Sequence, residues 1–153
     1  MFKFRLQRVL EMRTQTEQDA ATRLAEARSS EEAATLERLR LEAARDEGIQ
    51  KAASSTAMQP KIGQLQNFRF LVDRLNEEIA AAQLEVEAAA ADVQERLAEY
   101  STAFRDRHMI DKLREKALET HRNEEAQADR KLMDSVALAR FLRSRKATVA
   151  KES

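Results

Sequence analysis

Along its 153 residues this chain offers the backbone one good place to turn. It has two glycines and one proline, and Pro60 and Gly63 fall in a single break, Ser54-Ser55-Thr56-Ala57-Met58-Gln59-Pro60-Lys61-Ile62-Gly63. Serine and threonine compete for backbone hydrogen bonds, and proline steers its predecessor away from helical geometry. A chain so poor in turn-formers cannot build many short strands or loops. What surrounds the break is rich in Ala, Glu, Arg, Leu and Gln, all strong helix formers, with 27 alanines and no tryptophan. Charged residues reach 35%, above the roughly 25% of an ordinary globular protein. These features exclude most all-β and α/β folds. They predict an all-α fold: a long antiparallel two-helix coiled coil, or α-hairpin, with an overhanging C-terminal helix end. It is read as one domain over 1–153, with arm one at about 3–55, the turn at about 56–62 and arm two at about 63–148.

The second arm carries the clearest period. Phe68, Val72, Leu75, Ile79, Ala82, Val86, Ala89 and Val93 alternate steps of four and three, an apolar heptad seam. Continuing it through Leu97, Tyr100 and Phe104 requires a stutter near Val93, with Leu113 and Ala117 as weak extensions. The first arm is less regular. Phe4, Leu6, Val9, Leu10, Ala20, Ala21, Leu24, Ala27, Ala34, Leu36, Leu39, Leu41 and Ala44 trace a drifting stripe. Gly48 weakens its helix by about 1 kcal/mol relative to alanine.

The arms differ in length, roughly 80 against 130 Å at the helical rise. Folded back antiparallel, Ser54 meets Ile62 and Phe2 meets the region of Leu113, so about the last 35 residues have no partner within the chain. That overhang carries Leu132, Met133, Val136, Ala137, Leu138, Phe141 and Leu142, an apolar surface in need of cover. Charge is balanced overall, 27 basic against 27 acidic, but unevenly placed. Lys3, Arg5 and Arg8 open the chain without an acid, and Arg140, Arg143, Arg145, Lys146 and Lys151 close it the same way. The hairpin places both basic termini toward one end.

Little in the chain points to chemistry. There is no cysteine, hence no disulfide, thiol nucleophile or zinc-thiolate site, as in a reducing compartment. Two isolated glycines cannot wrap a phosphate. His108 and His121 stand 13 residues apart, not at the i, i+4 spacing that sets two imidazoles on one helical face. No catalytic, cofactor-binding or metal site is expected. No apolar run is long enough to span a bilayer, and the N-terminus has no apolar signal core. Glu11, Glu17, Asp19 and Glu26 argue against a transit peptide.

The aromatic residues leave two choices open. Phe2 and Phe4 alternate with Lys3 and Arg5, and either staple the N-terminus onto the second arm or form an aromatic-basic docking surface. Phe68 belongs to the seam, whereas Phe70 and Leu71 are off it, and together they make either a broader core near the turn or an exposed apolar patch.

At this point the residues resemble a family. The opening Phe2-Lys3-Phe4-Arg5-Leu6-Gln7-Arg8-Val9-Leu10, then Arg13, Glu17 and Leu24-Ala25, look like the start of FliJ-family flagellar export proteins. Asp129-Arg130-Lys131-Leu132-Met133-Asp134, with Ala139 and Arg140 after it, resembles the family's tail. The resemblance implies a non-enzymatic stalk of the flagellar type III export apparatus at the cytoplasmic face of the inner membrane. It implies three partners: the hexameric export ATPase, the export gate's cytoplasmic domain and substrate-specific export chaperones. Position and charge assign ring docking to Phe4, Arg5, Leu6, Arg8, Val9, Leu10, Asp134, Arg140, Phe141 and Arg143, and gate contact to Phe68, Phe70 and Leu71. The competing readings are the equivalent stalk of a virulence-type secretion system and a generic adaptor coiled coil that self-associates through its overhang. Nucleic acid is not an expected partner, because no binding module accompanies the basic tail.

Overall fold

The computed structural model describes residues 2–55 and 61–151, with side chains over 2–54 and 61–146. Two helices account for nearly all of them: α1, Gln7–Ser55, and α2, Ile62–Lys151. They pack against each other, and no strand occurs among the described residues, as expected of an all-α helical hairpin. Of the expected turn at 56–62, residues 56–60 lie outside the described residues, and Ile62 already begins α2. At the start of α2 the Gln64 side chain reaches back to accept a hydrogen bond from the Lys61 backbone N–H at 3.2 Å, while Gln64 N–H donates to the Lys61 carbonyl at 2.9 Å. This is the reciprocal half of a capping box, and it fixes where the second helix begins.

The chain divides into two compact units, Thr14–Arg105, and Met1–Arg13 with Asp106–Ser153. In the first, the α2 seam runs through Phe68, Val72, Leu75, Ile79, Ala82, Val86, Ala89 and Val93, all buried or half-buried. Beyond Val93 the structure corrects the expected stutter. The seam keeps its four-three alternation through Arg96, Tyr100 and Ala103, and Leu97 and Phe104 turn outward. The aliphatic stem of Arg96 covers the seam while its head group reaches Asp92 and Glu99 on the same helix, at 3.3 and 3.0 Å. The Glu99 carboxylate, and then Asp92, hold the Arg96 guanidinium above its already high pKa. An arginine can therefore occupy an apolar register position without breaking the heptad.

The same device explains the first arm. Its drifting stripe is a strict heptad, Glu17, Ala20, Leu24, Ala27, Glu31, Ala34, Arg38, Leu41, Arg45, Gly48 and Ala52, every one buried or half-buried. Charged residues fill four of these positions and hide the period. Arg45 donates across to Asn76 at 3.3 Å, and Arg38 to Glu42 on its own helix at 3.2 Å. Leu36, Leu39 and Ala44, assigned to the stripe from sequence, are exposed instead, because they stand off this register.

The core is thin. The buried hydrophobic residues among those described are Leu10, Ala20, Leu24, Ala27, Ala82, Val93 and Ala103, and four of the seven are alanine. Leu24, Ala27 and Val93 form one cluster, with Tyr100 packed against it. Alanine brings the two backbones close but removes little apolar area from water, so the few larger side chains carry much of the packing.

Two outcomes follow from this seam. Leu24→Ala should cost about 2 kcal/mol in denaturant unfolding, at the low end for core leucines, whereas Leu36→Ala should change stability by less than about 0.5 kcal/mol. Equal effects would contradict the register. Gly48 occupies a seam position, yet an added Cβ there meets nothing within 4 Å. Gly48→Ala should therefore stabilise the protein by about 1 kcal/mol, visible as a raised thermal midpoint.

Candidate docking surfaces

The unit of residues 1–13 and 106–153 holds most of the residues assigned to docking. Helix α1 begins at Gln7, and the residues before it are extended or turned. Gln7 N–H donates to the Phe4 carbonyl at 3.1 Å and Leu10 N–H to the Leu6 carbonyl at 3.0 Å. Arg13 donates to Asp106 at 3.1 Å. Counted back from that pair as continuous helix, Phe2 would fall near Ala117. Residues 2–4 are not helical; extended backbone rises about 3.3 Å per residue against about 1.5 Å in a helix, which is enough to account for Phe2 lying about one turn farther along. Its ring stacks on His121, with centroids 5.5 Å apart and planes 26° from parallel. Phe2 and Lys3 line a shallow groove with Ala117, Thr120, His121 and Glu124. The expected meeting with Leu113 is corrected accordingly, and Leu113 is exposed.

The choice left open for the N-terminal rings is thus decided for Phe2, which staples the strap to α2. Phe4, Leu6 and Val9 are half-buried and Leu10 is buried, while Arg5 and Arg8 stay in solvent. Packing inside this unit removes Leu10 from any free face. His121 is a packing residue, and its Nε2 also lies 3.3 Å from Glu125 Oε1. The signal for the strap was in the sequence: the alternation of Phe2-Lys3-Phe4-Arg5 is the period of extended backbone.

Past His121 every residue from 122 to 146 is exposed. Met133 and Leu132 are 70% and 63% exposed and Phe141 60%, with Leu138 and Leu142 also out. Asp134, Arg140 and Arg143 stand on the same bare stretch. Arg140 lies 19 residues beyond His121, roughly 28 Å along the helix. The two groups of ring-docking residues expected to sit side by side are therefore separate: Phe4 to Leu10 beside the seam, and Asp134 to Arg143 well beyond it. Nearer the covered part, Lys112 Nζ lies 2.8 Å from Glu115. That hydrogen bond, and then the attraction of opposite charges, holds the Glu115 carboxyl below the usual carboxylate range and the Lys112 ammonium above its own. Both stay ionised at neutral pH, a solvated charged face rather than a proton-transfer pair.

In the unit of residues 14–105, Phe68 is half-buried in the seam, whereas Phe70 and Leu71 are 70% and 54% exposed. The second open choice resolves as an exposed patch of Phe70 and Leu71, with Phe68 beneath it as core.

No group of acidic, histidine or cysteine side chains suited to a metal occurs among the described residues, and no described helix is long and apolar enough to cross a membrane. The family model described as Flagellar FliJ protein matches residues 2–146, nearly the whole chain, so the chain belongs to the FliJ family and is a component of the flagellar protein export apparatus. No individual curated protein and no solved structure matches it.

If the stack on His121 holds the strap, Phe2→Ala and His121→Ala should each speed amide exchange at Gln7 and Leu10. The expected factor is two- to tenfold, the equivalent of about 0.5–1.5 kcal/mol for an aromatic pair. Exchange between residues 20 and 50 should not change, and unaltered rates at Gln7 would place the anchor elsewhere.

Proposed function

We propose that the protein is a non-enzymatic, stalk-like hairpin at the cytoplasmic face of the inner membrane. It docks into the hexameric export ATPase and links that ring to the export gate and to substrate-specific chaperones. The observation that carries this reading is the exposed stretch 122–146, in which an apolar surface is displayed on a helix that no other described segment covers. Arg140, Phe141 and Arg143, with Asp134, form its docking end, and Arg5 on the strap and Arg8 at the start of α1 add exposed positive charge. Basic residues of this kind speed encounter and set register more than they add affinity. Phe70 and Leu71 offer a separate apolar contact for the gate's cytoplasmic domain.

Truncation after Glu125 keeps the Phe2–His121 stack and removes the bare stretch. In a pull-down with the purified export ATPase, the full chain should be retained and the truncated chain lost. Retention of both would sink the docking assignment. Phe70→Ser with Leu71→Ser should leave that retention intact and weaken capture by the gate's cytoplasmic domain.

A further inference from the structure

The bare stretch is patterned. Glu125, Asp129, Leu132, Val136, Ala139, Arg143 and Lys146 alternate steps of four and three, and at 100° per residue they fall within about 100° of arc. All seven are exposed. The stripe is acidic at its N-terminal end, apolar in the middle and basic at its C-terminal end. Met133 and Leu142 flank it, while Phe141 lies on the far side of the helix. Such a stripe is complementary to itself when reversed.

We propose that a second copy of this chain covers the stripe, the two α2 ends pairing antiparallel over residues 125–143. In an antiparallel coiled coil each seam position of one type meets the other type on its partner. The register that pairs Leu132 with Val136 of the second copy then sets Glu125 against Arg143 and Asp129 against Ala139, with each pairing made twice about the two-fold axis. A parallel pair would instead place Glu125 on Glu125 and Arg143 on Arg143, like charges in contact. The charge order therefore selects orientation as well as partner. Glu125 already lies 3.3 Å from His121 of its own chain, an exposed contact that leaves its second oxygen to meet an arginine. Fewer than three heptads take part, so the association is weak and depends on concentration. Self-pairing and the proposed ring docking both use Arg143 and exclude each other on this face, but the pairing does not depend on the docking reading.

The test needs only the full chain. Sedimentation velocity from low micromolar to several hundred micromolar should show a reversible monomer–dimer equilibrium. Arg143→Glu or Glu125→Arg alone should raise the dimer dissociation constant about tenfold or more, and the two together should restore it. That rescue cannot come from the His121 contact, which Glu125→Arg abolishes in either background. The chain has no native cysteine, so orientation is read directly. Asp129→Cys and Ala139→Cys chains should form a disulfide when mixed, and Ala139→Cys alone should not. A monomer at every concentration, a dimer indifferent to both charge changes, or ready self-cross-linking of Ala139→Cys would each overturn the proposal. A chain that stays monomeric alone yet is covered at 125–143 by the export ATPase would assign the stripe to that partner instead.

Discussion

Everything in this protein depends on two helices lying close together along a seam whose most deeply buried residues are mostly alanine. Alanine costs the helix nothing in side-chain entropy and lets the backbones approach, but it removes little surface from water. Of the larger residues in the seam Leu24 and Val93 are buried, whereas Phe68, Val72, Leu75, Ile79, Val86 and Tyr100 are only half-buried. Arginine supplies the rest of the cover. Arg45 and Arg96 lay their stems along the seam and carry their charge to its edge, where Asn76 and Asp92 with Glu99 receive it, while Arg38 reaches Glu42 with one terminal nitrogen and leaves its Nε buried without a hydrogen bond. These contacts are partly exposed and each contributes modestly, so their service is one of register rather than stability.

How much of this could be read from the sequence depends on what fills the seam. Between Phe68 and Val93 the positions are apolar and the heptad is plain. Past Val93 an arginine takes a seam position, and the eye moves to the nearby apolar Leu97 and Phe104, which are in fact outside. In α1 the same substitution recurs at Glu17, Glu31, Arg38 and Arg45, and the pattern dissolves into a drift. A period search on hydrophobicity alone treats arginine as a surface residue, whereas its methylene stem is apolar. The bare C-terminal stretch was legible because it follows from unequal arm lengths. Its starting point was not, because it depends on the extended strap that carries Phe2 to His121.

The family places the chain in the flagellar export apparatus. Large apolar side chains are exposed on the α2 overhang and at Phe70 and Leu71, and also elsewhere along both helices, as at Leu36, Leu84 and Met109. Between those places the outward faces carry ion pairs one helical turn apart, such as Glu47 with Lys51 and Arg74 with Glu78. The Lys51 hydrogen bond holds the Glu47 carboxyl below its usual range, so this pair supports the helix at neutral pH and is lost as acid protonates the carboxylate.

The thinness of the seam has a thermodynamic consequence. Among the described residues no side chain is fully buried. Unfolding therefore exposes less apolar surface per residue than it does in a globular domain, and the heat-capacity increment, which scales with that exposure, is correspondingly small. A small increment flattens the curve of stability against temperature. It leaves the protein little sharper in its response to warming than to cooling, and it lowers the sensitivity of unfolding to denaturant for the same reason. Such a hairpin owes its persistence over a range of conditions less to the depth of its free-energy minimum than to the shallow slope on either side of it.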